Sequence, residues 1–384
     1  MARSGLSGRL GRIREGQKSL STGDRETAAP DRRGPSRDSI SAALERRAAG
    51  KKSEPAEETA AQPPIEGWTQ SAPLLLERET VMPIPEYRKG FSVWFPLLFP
   101  RIRSSLSESI DADGFDERLT FFDLETTGLS HGAGTVAFMA GVGRLIPGPR
   151  GKGRSLRLTQ LLLQDYPGEA AFLSRFVELV GNSPVLVSFN GKCFDSQILA
   201  NRFLMNAMRP RFMAEPTMHL DLLFPSRRLW KNELGSCRLS AVEEGILGIL
   251  RDDDLPGSEA PDAWFEYVRE GERGRLSRIG DHNRDDCVSL ARLLYSLDAA
   301  IEDAEGRAAL VRAMELRAGR DYAAATEFLR PLADSGDETA LRMLAIDCEH
   351  RLGDYETALG CAERLGDEKR AERIRAKAER NGPR

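Results

Sequence analysis

Two carboxylates stand two positions apart in Phe121-Phe-Asp-Leu-Glu-Thr-Thr-Gly128. On a β-strand, positions i and i+2 share a face, so Asp123 and Glu125 are expected side by side at a strand end. Anions that close repel unless one takes a proton or a cation lies between them. Hard divalent cations such as Mg²⁺ take oxygen ligands of this kind. The plain alternative for an isolated Asp-x-Glu is a solvated strand end. A further carboxylate comes in Val187-Ser-Phe-Asn-Gly-Lys-Cys-Phe-Asp195, where a strand, a glycine turn and a helix start follow one another. Asp195 is there either an N-cap or a third oxygen ligand. The last stretch is Asp281-His-Asn-Arg-Asp-Asp286, ahead of a helically spaced apolar run from Cys287 to Leu294. His282 and Asp286 are four apart and share one helical face. That spacing suits a histidine taking a proton from water while Asp286 holds a cation. Asp285 competes with Asp286 for the cation.

These side chains need a sheet with helices on it. Leu119–Leu124, Thr135–Leu145 and Ser155–Asp165 read as strands, the first two antiparallel, with a flexible turn at Ser130–Gly134. Phe172, Phe176, Val177 and Val180 have helical spacing; so do Ile198, Leu199, Phe203 and Leu204. Pro184–Phe189 and Met218–Leu223 read as short strands. Three strands followed by alternating helices and strands predict an α/β mixed sheet flanked by helices.

Four regions follow from composition. Residues 1–65 lack aromatics until the next region and are rich in Gly, Ser, Arg, Glu, Ala and Pro, which predicts a disordered N-terminal arm. Residues 66–117 read as an irregular lead-in packed on the core. Residues 118–301 hold the chemistry-bearing domain. Residues 306–384 are Ala-, Arg- and Glu-rich and helical in period. There Gly319-Arg-Asp-Tyr-Ala-Ala-Ala325 recurs as Gly353-Asp-Tyr-Glu-Thr-Ala358, with Tyr322 and Tyr355 33 residues apart. That period suits a helical-repeat tail.

With 384 residues, a net charge of −4 and 40% apolar residues, the chain has large cores but no global basic signal for nucleic acid. The five cysteines are scattered and odd in number, which argues against a disulfide framework and a cysteine-ligated zinc. No apolar run reaches a membrane span, and no secretory leader is recognisable. The expected location is the cytoplasm.

Together, Asp123-x-Glu125, Asn190-x-x-x-Phe194-Asp195 and His282-x-x-x-Asp286 resemble, in order, the three motifs of the DEDD exonucleases of the ribonuclease H-like fold. The histidine resembles the DEDDh subtype, although its gap to Asp286 matches the tyrosine-bearing one. The wording around them, including Gly128-Leu-Ser-His-Gly-Ala-Gly134, His219-Leu-Asp-Leu-Leu223, Ser236-Cys-Arg-Leu-Ser240 and Asp254-Leu-Pro-Gly257, is similar to the YprB-like branch, in which a helical tail also occurs. The tail itself resembles a tetratricopeptide pair. The resemblance implies that Asp123, Glu125, Asp195 and Asp286 hold two divalent cations, Mg²⁺ or Mn²⁺. It also implies that His282 is the general base and that the reaction is 3′–5′ exonucleolytic hydrolysis of DNA or RNA.

Expected nucleic-acid contacts are Thr126, Asn190, Lys192, Arg227, Arg228 and Lys231. Arg227-Arg-Leu-Trp-Lys231 interleaves basic residues with Trp230, which is either a stacking platform or a core residue. His219 and Asp221 read as supporting residues. The rival from another class is a non-catalytic nucleic-acid or protein scaffold with the same fold; a second is an enzyme acting on small phosphates. The helical tail would serve a protein partner.

Overall fold

The computed structural model describes residues 65–110, 114–128, 134–183, 185–210, 212, 217–251 and 255–381. The expected N-terminal arm, but for Ile65, and most of the Ser130–Gly134 turn lie outside the described residues.

Seven strands form one sheet in the order β1-β2-β5-β4-β3-β6-β7. They are β1 (Thr69–Ala72), β2 (Leu75–Ile84), β3 (Leu119–Thr126), β4 (Ala137–Pro147), β5 (Arg154–Leu163), β6 (Val185–Ser188) and β7 (Met218–Asp221). From β1 to β3 neighbouring strands are antiparallel. From β3 through β6 to β7 they are parallel, so the ends of β3, β6 and β7 open on the same edge.

β1 and β2 correct the reading of residues 66–117 as irregular. β2 pairs with β5 over its full length, and its burial alternates along the outer half. Pro83 and the exposed Glu79 interrupt the apolar signal there, but β2 is inner to only the short β1, where such residues are tolerated.

Alternation along β3 divides the core. Leu119 and Phe121 point into one apolar cluster, Phe122 and Leu124 into the other. The second is closed by α2 (Glu169–Val180), α3 (Asp195–Met205) and α6 (Ala260–Glu270). Phe172, Phe176 and Val180 supply the buried stripe of α2, which Gly181 ends at φ 55. The first cluster is closed by α4 (Leu223–Leu234) and by α7 (Gly274–Asp303). Helix α7 has 30 residues, a span of roughly 45 Å at 1.5 Å per residue, enough to cross the whole sheet. The Asp281–Asp286 motif therefore sits well inside a helix, not at its start. Asp123 and Glu125, in phase with Phe121, face α7.

Two short helices complete this part: α1 (Arg103–Ile110) and α5 (Leu239–Val242). The tail is α8 (Arg307–Ala318), α9 (Tyr322–Asp334), α10 (Glu338–Asp347), α11 (Tyr355–Arg364) and α12 (Glu368–Asn381). It has its own cluster, including Leu329, Leu344, Cys348 and Ile374. Asp321 caps α9 through the Ala324 amide, and Asp354 caps α11 through the Thr357 amide. The recurrent Asp-Tyr pair is thus a repeated helix start.

Candidate acidic site

The site lies where the end of β3 meets the middle of α7. Asp123 is half-buried, between the buried Leu124 and Phe122. Burial raises its pKa well above the usual carboxylate range, and Asp286, Glu125 and Asp195 each push it further up. Four carboxylates thus sit within electrostatic reach of one point, drawn from β3, α3 and α7. Asn283 from α7 opposes the shift: its Nδ2 donates to Asp123 Oδ2 at 2.9 Å.

Asp195 begins α3, but its side chain caps nothing; Phe194 is the N-cap residue, without a side-chain bond. Asp195 is buried, and its pKa is raised to about 7, first by burial and then by Asp221. The loop that delivers it is held by Asp221 at the end of β7, which accepts from the amides of Asn190 at 2.7 Å, Lys192 at 3.1 Å and Leu223 at 3.1 Å. Asn190 takes φ 63, a conformation asparagine tolerates better than most residues. At Gly191 a Cβ would lie 2.4 Å from Ser188 Oγ and 2.9 Å from Asp195 Oδ2, so only glycine lets the loop pass. Asp221 is a supporting residue, as its place beside His219 suggested.

Helix α7 separates the two candidate aspartates. Asp286 acts on Asp123. Asp285 pairs with Arg284 at 2.8 Å and lines, with Arg251 and His282, a cavity of about 550 Å³. His282 lies between, with Nε2 3.7 Å from Asp286 Oδ2.

Arg251 was not foreseen. Its guanidinium bonds Asp286 Oδ1 and Glu243 Oε1, and one Nη lies 3.2 Å from His282 Nδ1. A guanidinium only donates, so Nδ1 is the accepting nitrogen and the neutral ring carries its proton on Nε2, toward Asp286. Nothing local in the sequence marks Arg251, because its partners are 8, 31 and 35 residues away.

The expected nucleic-acid contacts divide. Asn190, Lys192, Arg227 and Lys231 are exposed; Lys192 Nζ donates to the His219 carbonyl at 3.1 Å. Arg228 is half-buried and donates to the Leu97 carbonyl at 2.5 Å. Thr126 is buried and donates to the Gly128 carbonyl at 2.9 Å. Trp230 is a core residue, 4% exposed, which removes it as a stacking platform; Phe224, one turn after β7, is the exposed aromatic of that helix.

Oxygen donors and converging negative charge suit a hard divalent cation. Among the described residues, no three carboxylate, histidine or cysteine side chains stand close enough to grip one as they are.

Parts of the chain are similar to known proteins. The uncharacterized protein YprB of Bacillus subtilis (strain 168) is 34% identical over 201 residues, covering 52% of this chain and 46% of that protein; the chain thus spans about half the length of this relative. Among solved structures, E. coli exonuclease I in complex with a dT13 oligonucleotide is 19% identical, covering 43% of this chain and 42% of that one, with a TM-score of 0.28. The zinc-bound E. coli exonuclease I complex with single-stranded DNA is 18% identical, covering 40% and 41%, with a TM-score of 0.27. The RNase H superfamily matches residues 120–297, from the second residue of β3 to late in α7. Residues 120–297, which carry Asp123, Glu125, Asp195 and Asp286, are thus similar to the RNase H superfamily, and the mixed sheet with its flanking helices is RNase H-like.

Proposed function

We propose that this domain is a divalent-metal-dependent nuclease hydrolysing nucleic-acid phosphodiester bonds, a 3′–5′ exonuclease of DEDDh type. The observation that carries the reading is the negative charge that Glu125, Asp195 and Asp286 together bring to bear on Asp123, with Glu125 and Asp195 buried. Buried like charges cost stability unless offset, and a site that accepts this cost is a functional candidate.

Asp123, Glu125, Asp195 and Asp286 would hold two cations, Mg²⁺ or Mn²⁺. Such a pair supplies an activated water and stabilises the leaving oxygen. His282 is the group to take the proton, at Nδ1, once Arg251 no longer donates there. Arg251 also holds Asp286, so one movement of this arginine frees both the base and a ligand. Exposed Lys192, Arg227 and Lys231 offer phosphate contacts, and Asn190 a polar one, on the edge where β6 and β7 end. Thr126 serves there through its backbone, since its hydroxyl is committed to Gly128. Arg228 contributes through its field rather than by contact. The helical tail is a tetratricopeptide-like array for a protein partner, and the protein works in the cytoplasm.

A scaffold reading has one observation in its favour. Arg251 supplies an internal positive charge to Asp286 and Glu243, which offsets part of the repulsion without any bound ion. End-labelled DNA and RNA oligonucleotides, incubated with and without Mn²⁺, separate the two. Cleavage only with the metal supports the nuclease; binding without cleavage in either condition supports the scaffold.

A further inference from the structure

Four residues line up in one row across the sheet: Arg78 on β2 is paired with Gln160 on β5, Gln160 with Gly141 on β4, and Gly141 with Asp123 on β3. Facing residues in a row point to the same side, here toward α7. Gly141 leaves a gap in the row. A Cβ there would lie 2.5 Å from Cys287 Sγ and 2.8 Å from Asn283 Oδ1, so α7 reaches the sheet through this gap. Asn283 fills it and bridges what the glycine leaves open.

The resulting hydrogen bonds run in one direction. Arg78 Nε donates to Gln160 Oε1 at 2.9 Å. Gln160 Nε2 donates to Asn283 Oδ1 at 2.9 Å and to the Gly280 carbonyl at 2.7 Å. Asn283 Nδ2 donates to Asp123 Oδ2 at 2.9 Å. Gln160 and Asn283 are both 0% exposed. Because a guanidinium cannot accept, each amide has one permitted orientation, and the chain must end with an N–H on Asp123. The far end is anchored too: Arg78 Nη1 is 3.0 Å from Asp281 Oδ1.

We infer that Arg78, Gln160 and Asn283 are positioning residues that orient the Asp123 carboxylate for a divalent cation, which makes the β1–β2 hairpin a working part of the site. RNase H superfamily similarity starts at residue 120, so Arg78 lies outside it. The inference rests on Asp123 being a cation ligand. An amide donating to one carboxylate oxygen fixes the plane of the group and leaves its other oxygen for the ion. Partners of this kind typically change metal affinity or activity by about 10–100-fold when removed.

The test uses the full chain and Mn²⁺ alone as probe, with free Mn²⁺ read by electron paramagnetic resonance and folding checked by circular dichroism. Gln160→Leu interrupts the chain; Arg78→Met removes its source two residues from the carboxylate and keeps the test alive should Gln160→Leu not fold. Both are expected to bind Mn²⁺ about tenfold more weakly, and Arg78→Lys, which restores a donor, to recover most of the loss. At saturating Mn²⁺ their oligonucleotide KM should stay near wild type while kcat falls. Mn²⁺ affinity within about twofold of wild type in folded Arg78→Met and Gln160→Leu overturns the inference, provided Asp123→Asn weakens binding. Equal Mn²⁺ binding by Asp123→Asn and wild type instead overturns the ligand role of Asp123 itself, and the inference with it.

Discussion

At Asp123 three other carboxylates act on a half-buried one, and the groups around it offset that repulsion. Asn283 donates to it, Arg251 holds Asp286, and Asp221 fixes the loop behind Asp195. Asp123, Glu125 and Asp286 were legible because each sits at a spacing that a strand or a helix converts into a shared face, and Asp195 because it follows a glycine turn at a helix start. Asn283 lay inside the Asp281–Asp286 motif but carried no signal of its own, since its partners come from β3 and β5. Gln160 and Arg251 had no local mark at all. Two substitutions test the residue-scale account. His282→Ala should lower kcat by about 10²–10⁴-fold, the usual contribution of a general base, with little change in oligonucleotide KM in single-turnover and steady-state assays. Gly141→Ala puts a methyl group against Cys287 and Asn283 and should cost about 1–3 kcal/mol, as overpacking does, read as a lower midpoint in urea unfolding.

Among the elements, β3, β4 and β5 were readable to within a few residues because apolar runs of strand length are bounded by turn residues. β2 was not, since its outer half alternates with Glu77, Glu79 and Pro83 rather than with an obvious apolar series. The start of α7 was placed too late because Gly274 and Gly280 and a dense set of charges hide its first two turns. In the tail, the repeat wording was visible, but the buried charge that ties its last helices was not. Glu349 has a fully buried side chain bonded by Arg373 at 2.8 Å and Lys377 at 2.7 Å. The Arg373 bond, then Lys377 and His350, lower its pKa from 4.5 to about 2. A folded pKa below the unfolded one adds stability that is present above about pH 4.5 and lost as the pH falls toward about 2. Thermal unfolding of the full chain should therefore show the tail weakening over that acid range, and Glu349→Gln should flatten this dependence. An unchanged pH profile in the variant would show that the carboxylate does not couple to tail stability.

For the molecule as a whole, the tail is a separate apolar cluster joined to the sheet domain by one shared helix. Ala308 and Val311 of α8 are buried in the core that packs on α7, and Arg312 lies 4.0 Å over the Trp94 ring. Removal of everything after residue 305 would strip that core. A chain ending at Gly319 should instead stay folded by circular dichroism and cleave short oligonucleotides as the full chain does, because every proposed ligand precedes α8. Loss of cleavage in that folded truncation would place part of the site in the tail. The central claim is tested most directly by Asp123→Asn beside wild type, in one assay of labelled-oligonucleotide cleavage in Mn²⁺ and one filter-binding titration. The swap keeps shape but removes charge needed to hold the cation, while ground-state binding rests on Lys and Arg contacts to phosphate. The account predicts cleavage by wild type, none by Asp123→Asn, and similar nucleic-acid affinity for both; equal cleavage by the two proteins would contradict it.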